Sequence, residues 1–124
     1  FKNTTSTPFD FMSEKIIGDD LNNNDEQLYI AKGYDHCFIL NKGQKIAAEL
    51  SELESGRLIQ IFTDQPGIQL YTGNHLKGVF SKNQGVCLET QHFPNSPNVN
   101  SFPSTILKAN TDYYSKTSYH FKLI

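Results

Sequence analysis

From Tyr34 onward, short apolar runs alternate with turn-forming residues at the close spacing of sandwiches and barrels, which predicts an all-β chain. The runs are residues 35–40, 45–50, 57–63, 67–72, 85–91, 104–109 and 113–123. Between them lie Asn41-Lys42-Gly43, Glu54-Ser55-Gly56, Asp64-Gln65-Pro66-Gly67, Gly73-Asn74, Asn83-Gln84-Gly85 and Asn110-Thr111-Asp112. Each of these carries Gly, Pro, Asn or Asp, residues that tolerate or pre-set turn dihedrals. The last run has the clearest period of two. Tyr113, Thr117, Tyr119, Phe121 and Leu123 fall on one face, and Tyr114, Lys116, Ser118, His120 and Lys122 on the other. This predicts a strand with one buried and one wet side. Residues 57–63 instead place Leu58 and Phe62 on one face and Ile59 and Ile61 on the other, so cover is expected on both sides.

The first third of the chain differs. Asp19-Asp20 and Asn22-Asn23-Asn24-Asp25 predict a long polar connection over residues 11–29, with room for a short helical turn over 24–28 capped by Asn or Asp. Residues 7–12 are apolar but have no evident packing partner in the sequence. Residues 92–103 contain Pro94, Pro97 and Pro103 and are expected to form a rigid, non-repetitive loop directly after a strand. Seven strands would suffice for a small sandwich, yet the abrupt start reads as the end of a larger sheet system.

A length of 124 residues suits one compact unit. A net charge of −2 with only 19% charged residues argues against a surface built to neutralise phosphates, so no nucleic-acid partner is expected. No apolar run approaches the ~20 residues of a membrane-spanning helix, and no membrane partner is expected. The N-terminus lacks the basic segment and apolar stretch of a secretory signal. It also lacks an initiator Met, so the chain is expected to begin somewhere other than its translation start. Cys37 and Cys87 each lie in an apolar strand-like run without metal-ligand spacing. Two buried free thiols are expected, which favours a reducing compartment and a cytoplasmic location.

No phosphate-cradling glycine loop, nucleophile elbow or zinc-binding helix is present. Candidate chemistry rests on polar residues inside apolar strands. Glu89 lies in Val86-Cys87-Leu88-Glu89-Thr90-Gln91, on the face of Cys87 and Gln91. It is either a solvent-facing glutamate on a half-exposed strand or a carboxylate held in a cleft as a general base. Gln69 shares a face with Tyr71, an arrangement that suits either a sugar-hydroxyl contact or an ordinary exposed strand face. Asp35 and His36 follow Gly33-Tyr34. Asp35 accepts turn hydrogen bonds or offers its two oxygens to paired hydroxyls of a ligand. His75 and His92 lie on or beside loops within reach of a ligand, whereas His120 is expected on the surface of the last strand.

Three blocks carry a family resemblance: Gly33-Tyr34-Asp35-His36-Cys37-Phe38, Thr63-Asp64-Gln65-Pro66-Gly67-Ile68-Gln69-Leu70-Tyr71-Thr72-Gly73-Asn74, and Cys87-Leu88-Glu89-Thr90-Gln91-His92-Phe93-Pro94-Asn95-Ser96-Pro97-Asn98. Thr7-Pro8-Phe9-Asp10-Phe11 and Phe102-Pro103-Ser104-Thr105-Ile106-Leu107 fit as well. In these segments the chain resembles the C-terminal part of the aldose 1-epimerases, also called galactose mutarotases. The resemblance implies an antiparallel two-sheet β-sandwich of roughly three times this length, larger than the ~100–150 residues of a common domain. It further implies interconversion of the α and β anomers of free hexoses such as galactose and glucose, with no metal or organic cofactor. A glutamate takes the proton of the C1 hydroxyl and a histidine protonates the ring oxygen. Matching places the base on Glu89 and sugar-hydroxyl binding on Asp35 and Gln69. The family's acid histidine belongs to an N-terminal portion that these 124 residues lack, and none of His36, His75, His92 or His120 takes its place. The expected partners are therefore a free hexose and that missing portion, with the chain alone inactive. Two further readings stand beside this one: a non-catalytic carbohydrate-binding sandwich, and an accessory domain of a glycan-processing enzyme. Retention of Glu89 speaks against the first, and retention of all three blocks against the second. A sugar phosphate would call for Arg or Lys near the sugar; the second and third blocks contain neither.

Overall fold

A computed structural model describes all residues, Phe1–Ile124. Six strands form two three-stranded sheets: β1 (Asp35–Ile39), β4 (Gly67–Tyr71) and β5 (Cys87–Gln91) in the order β1-β4-β5, and β2 (Ala48–Glu52), β3 (Arg57–Thr63) and β6 (Thr117–Leu123) in the order β2-β3-β6. The chain divides into two compact units, residues 1–36 with 70–87, and residues 37–69 with 88–124. No helix is long and apolar enough to cross a membrane.

In the first unit the short helix α1 (Glu26–Ala31) starts where the Asp25 carboxylate accepts the amides of Gln27 at 2.8 Å and Leu28 at 3.4 Å. A capping side chain satisfies amides that have no partner inside the helix. The helix ends at Lys32, whose left-handed backbone turns the chain into Gly33. Only Leu28 of α1 is buried, and it joins Tyr34, Leu70, Thr72 and Asn74 in the interior of this unit. Residues 7–12 do find a partner. The rings of Phe9 and Phe11 meet Tyr34 edge-on at 5.6 and 5.3 Å, and the Tyr34 hydroxyl donates to the Pro8 carbonyl at 2.7 Å. Burial, reinforced by the charges of Asp20 and Asp25, pushes the Tyr34 phenol far above its ordinary pKa. The hydroxyl therefore stays a donor.

The second unit is built on β3. It pairs antiparallel with β2 from Glu52↔Arg57 to Ala48↔Ile61, and with β6 from Arg57↔Leu123 to Thr63↔Thr117. Leu58 and Ile61, on opposite faces of β3, are both buried, as their pattern predicts. The hairpin before β3 closes on Glu52, whose carboxylate accepts the amides of Glu54 and Ser55, each at 2.8 Å.

Five expectations are corrected. Residues 104–109 form no strand. The last strand begins at Thr117 rather than residue 113, and the second runs Ala48–Glu52 rather than 45–50. The β6 face expected to be buried is open: Phe121 and Leu123 are each 80% exposed. Cys87 is exposed, whereas Cys37 is half-buried, and both thiols are free.

The open side of β6 has a consequence for the isolated chain. Tyr119, Phe121 and Leu123 share one exposed side, on which only the neighbouring Ile61 of β3 is fully covered, and β6 is a sheet edge. At ~25 cal/mol per Å² of apolar surface, a few hundred square ångströms of such area is worth several kcal/mol. An unpaired edge also templates pairing with other chains. Purified residues 1–124 are expected to self-associate in sedimentation velocity; a monodisperse monomer with a cooperative melt is the contrary result.

Candidate active site

The site is traced in the second unit from a glycine. Gly67 opens β4, is buried, and is closely overlaid: a Cβ there would lie 3.0 Å from both Cys37 Sγ and the Phe93 ring, so either would have to shift to admit one. Cys37 and Phe93 therefore stand on the Gly67 side of the strand. The Cys37 thiol also meets the Gln91 side chain; burial raises its pKa and that hydrogen bond partly offsets the rise. Side chains two apart on a strand share a face. Gln69 thus stands on the side of Gly67, and Glu89 on the side of Gln91 and Cys37. Two of the three residues singled out in the sequence, Gln69 and Glu89, are brought to one face bordered by Cys37, Gln91 and Phe93. Phe93 is itself held edge-on by Phe102 at 5.4 Å, which makes the loop after β5 a fixed wall of this face.

Glu89 is exposed and Gln69 half-buried. A carboxylate open to solvent can accept a proton from an arriving hydroxyl, and an amide beside it can both donate and accept a hydrogen bond.

Asp35 lies in the first unit and is exposed. Its backbone amide points to His36 Nδ1 at 3.0 Å. His36 is half-buried, with Phe9 4.7 Å from its ring. Burial lowers its pKa against the opposing charges of Asp35 and Asp25, which favours a neutral imidazole. His75 is exposed, and its backbone amide donates to the Tyr71 hydroxyl at 3.0 Å. His92 follows β5 and is half-buried. His120 is exposed as expected and lies over Phe62 at 4.5 Å.

The family model described as Aldose 1-epimerase matches residues 1–120. The chain belongs to the aldose 1-epimerase family. It is 36% identical over 127 residues to galactose mutarotase of Mus musculus, with 94% of this chain and 36% of the relative covered. It is 35% identical over 132 residues to aldose 1-epimerase of Escherichia coli strain K12, with 97% of this chain and 38% of the relative covered. The crystal structure of galactose 1-epimerase from Lactobacillus acidophilus NCFM superposes with a TM-score of 0.66 at 37% identity, over 73% of this chain and 28% of that one. The fold class is the all-β, antiparallel sandwich expected from the sequence. The chain spans little more than a third of the length of the curated relatives it matches.

The structure gives four residues near these strands roles that the sequence pattern does not show. Asp64 and Gln65 read as turn residues but hold the approach to β6. Asp64 accepts the Lys116 amide at 2.9 Å, and Gln65 donates to Tyr113 Oη at 2.9 Å and Ser115 Oγ at 2.6 Å. Thr72 and Asn74 read as strand end and turn, yet they are 2% and 4% exposed. The available signal was the placement of two hydrogen-bonding side chains directly after a buried strand.

Proposed function

We propose that these residues carry the base and the hydroxyl contacts of an aldose 1-epimerase acting on free hexoses such as galactose and glucose. The observation that supports this is the placement of Gln69 and Glu89 on one face in a chain of this family. In the reaction, Glu89 takes the proton from O1 of the sugar as the C1–O5 bond breaks. The ring oxygen receives a proton from a histidine in the portion of the family domain outside these 124 residues. The product is the open-chain aldehyde. Rotation about C1–C2 turns the other carbonyl face to O5, and the reverse proton transfers close the ring as the opposite anomer. Beyond the breaking and remaking of the C1–O5 bond, every step is a proton transfer or a bond rotation, which a carboxylate and an imidazole can serve without a metal or organic cofactor. The exposed apolar side of β6 supports cover by that further portion.

The test is polarimetry of freshly dissolved α-D-galactose with the full protein that carries these residues. Mutarotation well above the buffer rate is expected; a rate equal to buffer refutes the reading. Asp35 and Gln69 bind hydroxyls and transfer no proton. A hydrogen bond to a charged group is worth about 1.5–3 kcal/mol and a neutral one about 0.5–1.5. Asp35→Asn is therefore expected to lower kcat/KM roughly ten- to a hundredfold, and Gln69→Ala a few-fold, with the acidic limb of the pH profile unmoved. A shifted limb at unchanged efficiency would reverse the assigned roles.

A further inference from the structure

We propose that Asn74 is a positioning residue that aims Asp35 at the sugar; this rests on the reading of Asp35 as a hydroxyl contact. Asn74 is 4% exposed and its amide is fully used. Nδ2 donates to the carbonyls of Ala31 and Tyr34, each at 2.9 Å, while Oδ1 accepts from Thr72 Oγ1 at 2.7 Å and from Asn83 Nδ2 at 3.3 Å. Thr72 completes a closed circuit. Its hydroxyl accepts the Tyr34 amide at 3.0 Å and its own amide donates to the Tyr34 carbonyl at 3.1 Å. Both polar groups of the Tyr34 backbone are thus held by the pair Thr72–Asn74. The Tyr34 carbonyl belongs to the peptide bond that joins Asp35, so its orientation sets the direction in which the Asp35 side chain leaves the strand.

Gly33 shows how closely the circuit is fitted. Its φ is +137°, and a Cβ there would lie 2.3 Å from Asn74 Oδ1 and 2.9 Å from Thr72 Oγ1. The glycine lets the Asn74 amide reach the backbone just ahead of Asp35. A side chain serving only to fill the interior would not need two donors converging on carbonyls at both ends of residues 31–34. Asn74→Asp keeps the size and the acceptor oxygen. It removes both N–H donors and turns an oxygen toward two carbonyls.

The experiment is a double-mutant cycle on KM and kcat for galactose in the full protein, using Asn74→Asp, Asp35→Asn and the combination. Asn74→Asp is expected to raise KM roughly tenfold, within the range of coupling seen inside one hydrogen-bond network, with kcat nearly unchanged. In the Asp35→Asn background that rise is expected to vanish. An equal rise in both backgrounds overturns the proposal, because Asn74 would then act on the fold rather than through Asp35. An unchanged KM for Asp35→Asn alone overturns the underlying reading of Asp35 and the proposal with it. Should Asn74→Asp fail to fold, Thr72→Val and Thr72→Ser decide. Val breaks the circuit at the same size and is expected to raise KM, while Ser restores the hydroxyl and the wild-type value. A wild-type KM for Thr72→Val overturns the proposal.

Discussion

Glu89→Gln is expected to slow mutarotation of α-D-galactose by the full protein ~10²–10⁴-fold, the range in which a positioned general base contributes. The substitution keeps the shape and hydrogen-bonding reach of the side chain and removes only its ability to hold a proton. Glu89 is exposed on an edge strand, where substitutions usually change stability little. A fall in kcat with an unchanged melting curve therefore isolates the chemical role. Rates within a few-fold of wild type would remove Glu89 from the mechanism and move the search for the base elsewhere on the same face. Gln69→Ala separates the two functions of that face. It should act on sugar binding, whereas Glu89→Gln should act on the rate at saturating sugar.

Tyr34→Ala is expected to destabilise the full protein by about 3–5 kcal/mol, the usual cost of deleting a buried aromatic side chain. Tyr34 has no exposed surface. Its ring anchors Phe9 and Phe11, and its hydroxyl closes on Pro8, so one side chain ties the first residues to the strand that carries Asp35. Tyr34→Phe removes only the hydroxyl and should cost about 0.5–1.5 kcal/mol. Chemical denaturation of both variants compares ring with hydroxyl. Equal losses would mean that the bond to Pro8, rather than aromatic packing, holds the N-terminal segment. A cost of several kcal/mol is a large fraction of the ~5–15 kcal/mol that stabilises a domain, so Tyr34→Ala should also lower the yield of folded protein.

Much of the architecture and the candidate residues could be read from local pattern. Period two, β-branched and aromatic runs, and turn residues at fixed offsets mark β1, β3, β4 and β5 within a residue or two, because alternation and turn dihedrals are local properties of the chain. Leu58 and Ile61 are legible as buried for the same reason, and a short helix capped by Asn or Asp is legible near 24–28, although only the structure shows that Asp25 is the cap and that the helix runs Glu26–Ala31. Gln69 and Glu89 stand out because a polar side chain inside an apolar strand is costly unless it faces solvent or a partner.

What local pattern could not supply was the partner of each strand and side chain. Residues 113–116 continue the alternation of β6, but β3 ends at Thr63 opposite Thr117, and the turn at Asp64-Gln65 holds them by side chains and a single backbone bond, Asp64 N to Lys116 O at 3.3 Å, instead of a ladder. Residues 104–109 are strand-like in composition and form no strand, since backbone amides and carbonyls make a sheet only beside another strand. Alternation makes the apolar side of β6 look buried, yet it states only which side chains share a face, and whether that face is covered depends on what packs against it. Asn74 and Thr72 look like turn residues in sequence. They close around the backbone of Tyr34, some 40 positions earlier, so their role exists only once β4 lies beside β1. The sequence by itself determined the strand faces, the turns and the polar side chains set inside apolar strands. The tertiary structure decided which faces are covered and which distant groups bond to the Tyr34 backbone, because burial and long-range hydrogen bonds depend on distances that alternation along a chain does not set.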